Sequence, residues 1–249
     1  MGRLSKRSLL LRVIGPRRLG TLYYAWRSGR RLAWGGPFNG QAHRCLLFAT
    51  LVDRLRPAAI VETGSYLGTT TEWMAAFQVP VFTCESSEEN FGFAQARLSP
   101  IPNVTVTLGD SREFLSNLLK GPLVNARQEA IIVYLDAHWS ADLPLAEEVD
   151  LVFSSCPKAA VLIDDFEVPG DPGYGFDTFG LELTLNASYI DAAVRKHRLT
   201  MFYPSTPSSA ETGMRRGCAV LCKDAMLAET LRAIPLLRGA QSDATAAAV

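Results

Sequence analysis

The first 52 residues contain no aspartate or glutamate. Over the same stretch lie ten bases: Arg3, Lys6, Arg7, Arg12, Arg17, Arg18, Arg27, Arg30, Arg31 and Arg44. The chain as a whole is neutral, with 25 basic and 25 acidic side chains, so the remainder is strongly acidic. A basic arm on an acidic body suits contact with an anionic partner, such as membrane headgroups, a phosphorylated substrate or nucleic acid, the plainer alternative being a solvated extension or helical cap. Long apolar runs are also missing. No stretch approaches the ~20 residues that span a bilayer, and Leu9–Ile14 is too short and interrupted for a secretory core. The five cysteines form no framework. Cys218 and Cys222 fall in a strand-like run, where four residues cover about 13 Å, too far for a shared zinc or a disulfide. Cys45, Cys84 and Cys156 read as core fillers, and a reducing, cytoplasmic compartment follows.

What is present is apolar material, 48% of residues against 20% charged, enough for a full core. From residue 57 onward short apolar runs alternate with amphipathic ones, the pattern of βα units on a parallel sheet. Seven runs read as strands: Ala59–Thr63, Val79–Cys84, Val104–Leu108, Ala130–Leu135, Ala159–Ile163, Leu199–Tyr203 and Cys218–Cys222. Helices are expected over Gln41–Leu55, Thr70–Phe77, Glu89–Leu98, Ser111–Leu119, Leu145–Phe153 and Leu181–Lys196. The segment Pro204–Gly217 is too short for a crossover helix, so the last two strands should pair antiparallel. The fold class is therefore α/β, a doubly wound, mostly parallel seven-stranded sheet with an antiparallel last strand. Residues 1–40 are set apart as a basic extension, 41–240 as the domain and 241–249 as a flexible tail.

Strand one ends in Glu62-Thr63-Gly64-Ser65-Tyr66-Leu67-Gly68-Thr69-Thr70 and runs into a helix. Glycines 64 and 68 allow a tight turn close to a ligand, at the carboxyl edge where open α/β sheets bind one. Glu85 follows Gly64 by 21 positions and ends strand two, a spacing suited to ribose hydroxyls. A dinucleotide fingerprint would need glycine where Tyr66 and Thr69 stand. That leaves a nucleoside without phosphates, and the Glu62 carboxylate suits an ammonium. S-adenosylmethionine carries both a ribose and an α-ammonium. Gly109, Asp110 and Ser111 end strand three beside the expected adenine, where Asp110 or Ser111 either meets a ring amine or caps the next helix.

Strand four ends in Leu135-Asp136-Ala137-His138-Trp139, and strand five in Ile163-Asp164-Asp165. Three carboxylates at one edge repel one another unless a cation joins them, and Mg²⁺ meets that need while keeping sites for substrate oxygens. Asp136, Asp164 and Asp165 are the expected metal ligands, the alternative being that the Asp pair caps the turn and arginines neutralise the acids; His138 is the candidate general base, or else a packed residue beside an aromatic. The loop Glu167–Gly175 follows directly, with Tyr174 and Phe176 as stacking surfaces for an acceptor if it forms a wall and not a plain surface turn.

These residues resemble the class I S-adenosylmethionine-dependent methyltransferases, and within them the small metal-dependent O-methyltransferases. Glu62–Thr70 is similar to the catechol O-methyltransferase cofactor loop, including its tyrosine; Glu85 matches the ribose acid and Gly109-Asp110-Ser111 the adenine-side loop. Asp164 and Asp165 follow Asp136 by 28 and 29 positions, the family's metal spacing. Trp139, after His138, resembles a tryptophan that packs near adenine. The family's catalytic lysine has no counterpart, which turns the expected acceptor from catechols toward the sugar hydroxyls of macrocin-type and rhamnosyl-type enzymes. The resemblance implies a Rossmann-like methyltransferase fold and a Mg²⁺-assisted O-methyltransferase acting on a sugar, glycolipid or small diol. Glu62, Gly64, Ser65, Tyr66, Gly68, Thr70, Glu85, Gly109, Asp110, Ser111, Asp136 and Trp139 are the expected cofactor contacts. A small-molecule or glycan acceptor is the expected partner, with peripheral contact to anionic membrane through the basic arm, no nucleic acid, and an oligomer compatible with the fold. The rival readings are an NAD-dependent oxidoreductase and a non-catalytic nucleoside-binding protein that docks on membranes.

Overall fold

The structure is a computed structural model, and it describes residues 10–11, 13–26, 28–138, 142–179 and 183–240. Five strands are laid down in parallel: β1 (Ala59–Thr63), β2 (Val81–Glu85), β3 (Val104–Leu108), β4 (Ile131–Leu135) and β5 (Ala159–Asp164). Two short strands, β6 (Thr178–Phe179) and β7 (Leu183–Thr184), form a separate hairpin. The main sheet is completed by β8 (Thr200–Pro204), β9 (Cys218–Cys222) and β10 (Leu237–Gly239). The order is β3-β2-β1-β4-β5-β9-β8-β10, with β9 antiparallel to both neighbours. The central strands are buried along their whole length, which is why they read as unbroken apolar runs; the edge strand β3 is half-exposed.

Side chains alternate between two cores, as strand geometry requires. Ala59, Val61, Ile131, Val133 and Leu135 face α5 (Ser111–Lys120), α6 (Leu145–Ser155) and α7 (Asp191–His197). Ile60, Ile132 and Tyr134 face α2 (Ala42–Leu55), α3 (Thr69–Ala75) and α8 (Ala225–Arg232). Each fully buried aliphatic side chain in these layers contributes roughly 1.5–3 kcal/mol. With helices on both faces, the sheet is doubly wound as expected.

Three expectations change. The sheet has eight strands, because Leu237–Gly239 adds an edge strand to β8 that is too short to stand out in the sequence. The helix expected over Leu181–Lys196 is confined to α7; residues 180–182 lie outside the described residues. The run Leu183-Thr184-Leu185 continues a two-residue alternation that favours a strand, and Asn186 then accepts the Tyr189 N–H in a turn. Third, the described part of the N-terminal stretch is packed and not merely appended. There α1 (Pro16–Trp26) crosses α4 (Glu88–Leu98) at Gly20 and Gly92, so closely that a Cβ on either would sit 1.9 Å from the carbonyl oxygen of Glu89 or Arg17. Leu19, Tyr23, Leu67 and Phe93 fill the seam.

Candidate active site at the carboxyl edge of the sheet

The register places Thr63 beside Cys84 on one side and Leu135 on the other, and Leu135 beside Ile163. The loops after β1, β2, β4 and β5 therefore open at one rim. At the first of them Gly64 holds φ +83°, and a Cβ there would meet the Asp136 carbonyl oxygen at 2.5 Å. Only glycine allows both, and it brings the β1 turn directly against the start of the β4 loop. Tyr66 also takes positive φ, +49°, and its N–H donates to Glu85 Oε2 at 2.8 Å, while Ser87 N–H donates to Oε1 at 2.8 Å. Glu85 is thus held rigid at the end of β2. Burial pushes its pKa up, against these backbone donors.

Two cavities meet at Gly64, Tyr66 and Trp34. The larger, about 620 Å³, is lined by Cys84, Glu85, Asn90, Gly109, Asp110 and Ser111 among others. Gly109, at φ +156°, leaves open space where a Cβ would be. The smaller, about 220 Å³, holds Glu62, Ser65, Thr70, Asp136, Asp165 and Arg216, with Trp34 and Met214 as exposed apolar surfaces. Ser65 Oγ is buried there without a hydrogen-bond partner among the described residues. Glu62 accepts the Thr71 and Thr83 hydroxyls on Oε2, and burial raises its pKa. A carboxylate at the floor of one cavity, an open glycine edge, and an unpartnered hydroxyl with a second carboxylate in the other fit a nucleoside joined to an amino-acid tail.

Of the expected cofactor contacts, Glu62, Gly64, Ser65, Tyr66, Thr70 and Asp136 line the smaller cavity; Gly64, Tyr66, Glu85, Gly109, Asp110 and Ser111 line the larger. Gly68 lines neither. At φ +72° it turns the chain into α3, its back against Leu98 and Arg97. Trp139 lies outside the described residues. Asp110, and not Ser111, caps α5, accepting the backbone N–H groups of Arg112 and Glu113; its carboxyl is held low by hydrogen bonding to the Arg112 side chain. Tyr174 is no stacking surface: it is buried, and its hydroxyl donates to the Thr206 carbonyl.

The carboxylates after β4 and β5 divide, and two of them pair with arginines. Asp164, 0% exposed, pairs with Arg44 from α2, a side chain itself only 2% exposed. Its other oxygen accepts the Tyr134 hydroxyl at 2.7 Å and faces Asn39 Nδ2 at 3.5 Å. Burial would raise the Asp164 pKa, but Arg44 and Tyr134 outweigh it and the net shift is downward. Asp164 lines neither cavity and its two oxygens are engaged in the core by Arg44 and Tyr134, so Asp136, Asp164 and Asp165 do not face one opening as a ligand set. Asp165, at φ +51°, turns the opposite way and pairs with Arg216, which also holds Asp177. Burial and the neighbouring Asp164 push its pKa up to about 7. Asp136 is pushed well above the usual carboxylate range by burial and then by Asp164 and Asp165. His138 is 1% exposed, lines neither cavity, and burial lowers its pKa. The base role expected of it does not follow from that position, behind the carboxylates.

Arg216, Asp177 and Trp34 carry no expectation from the sequence, and Arg44 only that of one base among ten in the N-terminal stretch. Arg44 did leave a signal, since it shares the apolar stripe of α2 with Leu47, Phe48 and Leu51. Arg216 left none. Because β9 is antiparallel, its amino end reaches the rim, Cys218 opposite Asp164, and Arg216 comes with it.

No protein-family model matches the chain. No curated protein matches it in sequence. Solved structures do. A Klebsiella pneumoniae protein assigned to the O-methyltransferases is 16% identical at TM-score 0.54, over 88% of this chain and 96% of that one. An O-methyltransferase from Bacillus cereus, in complex with SAH (S-adenosylhomocysteine), is 16% identical at TM-score 0.51, over 87% and 96%. The methyltransferase domain of bacterial CtHen1 is 11% identical at TM-score 0.51, over 72% and 97%. The chain has the Rossmann-like α/β fold of these methyltransferases, as its glycine turn and strand pattern led one to expect.

Proposed function

We propose that this protein transfers the methyl group of S-adenosylmethionine to an oxygen of a small acceptor, a sugar, glycolipid or other diol-bearing metabolite. One observation carries the reading: a nucleoside-sized cavity floored by Glu85 opens at Gly64 and Tyr66 into a second cavity lined by Asp136 and Asp165. Bound in the first, the sulfonium of the cofactor would supply an activated methyl group. Glu85, held in place by the Tyr66 and Ser87 backbone N–H groups, would accept the ribose hydroxyls at the end of β2. Glu62 and Ser65 suit the ammonium and carboxylate of the tail. Trp34 and Met214 offer an apolar face on which a sugar ring can lie, and they shield the opening from water. Holding donor and acceptor in line across the shared mouth is itself worth up to ~7–11 kcal/mol of barrier.

The Mg²⁺ assistance expected from the sequence belongs to the same proposal in a reduced form. A divalent ion would sit against Asp136 and Asp165 at the wall of the smaller cavity, and it would supply Lewis acidity toward an acceptor hydroxyl. The expected peripheral contact of the basic arm with anionic lipid also stands as a proposal, supported by the acid-free composition of residues 1–52.

The test is a thermal-shift titration with S-adenosylhomocysteine and, separately, NAD⁺. S-adenosylhomocysteine at ~100 times its Kd should stabilise the protein by about 2.7 kcal/mol, with NAD⁺ leaving the transition unmoved. A shift with NAD⁺ and none with S-adenosylhomocysteine would overturn methyl transfer in favour of a nicotinamide enzyme.

A further inference from the structure

We infer that the cation site of this protein is built from Asp136, His138 and Asp165, without Asp164, and that its mixed nitrogen and oxygen donors select a first-row transition ion such as Mn²⁺ or Co²⁺ over Mg²⁺. The inference deepens the methyl-transfer reading and rests on it only for the ion's purpose.

Geometry makes the first case. One ligand atom from each of the three side chains lies within 4.8 Å of the other two. His138 Nε2 stands 3.8 Å from Asp136 Oδ1 and 3.9 Å from Asp165 Oδ2. Two donors each about 2.1 Å from a shared ion lie roughly 3.0–3.4 Å apart, so closure asks each side chain for a shift of a few tenths of an ångström. The imidazole makes the second case. It is 1% exposed, and neither ring nitrogen has a hydrogen-bond partner among the described residues. A buried polar atom left unmade costs about 1–3 kcal/mol, so an imidazole retained in that state and aimed at two carboxylates is accounted for by a ligand between them.

Asp164 is excluded on independent grounds. One of its oxygens is taken by Arg44 and the other by the Tyr134 hydroxyl, and the side chain is turned into the core, away from both cavities. Arg216 does not close the site in the same way. It binds Asp165 through Oδ1 and leaves Oδ2 directed at His138. Mg²⁺ favours all-oxygen donors in strict octahedral array, whereas an imidazole nitrogen suits first-row transition ions.

Calorimetric titration of the full-length protein with MnCl₂, CoCl₂ and MgCl₂, with and without S-adenosylhomocysteine, tests the inference. One Mn²⁺ should bind with a Kd at least about tenfold below that for Mg²⁺, and His138→Gln should erase the difference. Electron spin-echo spectra of the Mn²⁺-loaded protein should carry a ¹⁴N coupling that disappears in His138→Gln. Asp164→Asn should hold Mn²⁺ within about threefold, and the double variant Arg44→Met/Asp164→Asn gives the same reading if the single variant unfolds. Equal affinity for Mg²⁺ and Mn²⁺, no nitrogen coupling in the wild type, or loss of Mn²⁺ binding in the folded double variant would overturn the assignment. S-adenosylhomocysteine binding without metal binding would sink this inference alone. Metal binding without S-adenosylhomocysteine binding would leave it standing and sink methyl transfer.

Discussion

Asp164 and Asp165 are adjacent in the chain and end in different surroundings. The strand ends at Asp164 in extended geometry, pointing toward α2 and Arg44; at Asp165 the backbone turns left-handed and the side chain swings to the cavity. Aspartate is among the few residues that take this conformation at modest cost. The Arg44–Asp164 pair is fully buried, so removing one partner strands a charge. Arg44→Met should cost about 3–5 kcal/mol in urea unfolding, and Arg44→Met/Asp164→Asn should recover much of it. A double variant no more stable than the single one would contradict the pairing. Glu148, on α6, is a second buried carboxyl, 0% exposed beside Thr63 and Ser111, and burial raises its pKa to about 7. A raised carboxyl pKa means that the folded state holds the proton more tightly. The stabilisation is complete below about pH 4.5 and is lost as pH rises through 7, on the order of 3 kcal/mol in all. Glu148→Gln should therefore melt progressively higher than the wild type between pH 5 and 8, and parallel profiles would count against it.

Among the elements, the contact of α1 with α4 joins the N-terminal segment to the body of the fold. Gly20 and Gly92 let the two backbones touch, and Thr21 donates to the Gly92 carbonyl across the seam. Gly92→Ala puts a methyl 1.9 Å from the Arg17 carbonyl, and overpacking of that kind costs typically ~1–3 kcal/mol. Hydrogen exchange should show α1 losing protection in this variant while β1, β4 and β5 keep theirs; uniform loss would mean that α1 belongs to the central folding unit. The turn at Gly64 plays the same part between loops. An alanine there meets the Asp136 carbonyl at 2.5 Å and is strained at φ +83°, so Gly64→Ala should weaken S-adenosylhomocysteine binding at least tenfold in titration calorimetry. The strands β1, β3 and β9 were legible to the residue because β-branched and apolar residues run without a break between turns. The hairpin β6–β7 was not, since two-residue strands carry too little pattern to compete with a helical reading of the segment beyond them.

At the scale of the whole molecule, charge is segregated along the chain while the total is zero. No helix among the described residues is long and apolar enough to cross a membrane. Co-sedimentation with phosphatidylserine vesicles should be salt-sensitive and should fall when Lys6, Arg7 and Arg12 are replaced by glutamate, by about 1 kcal/mol for each lost cation near the surface. Binding that is equal on neutral vesicles would rule out an electrostatic arm. By itself the sequence determined the doubly wound sheet, the glycine turn at 64, Glu85 at the second strand end, and the return of carboxylates at 136, 164 and 165. Periodicity and turn chemistry are written within a few residues, and the spacings used, 21 to 29 positions, stay within single βαβ units. Only the tertiary structure decided which carboxylates share a cavity. Arg44 reaches Asp164 across 120 positions and Arg216 reaches Asp165 across 51, through a helix folded over the sheet and a strand that runs backwards beside it. Ion pairing in a buried site depends on distance in space, and a linear spacing carries no record of which cation arrives first.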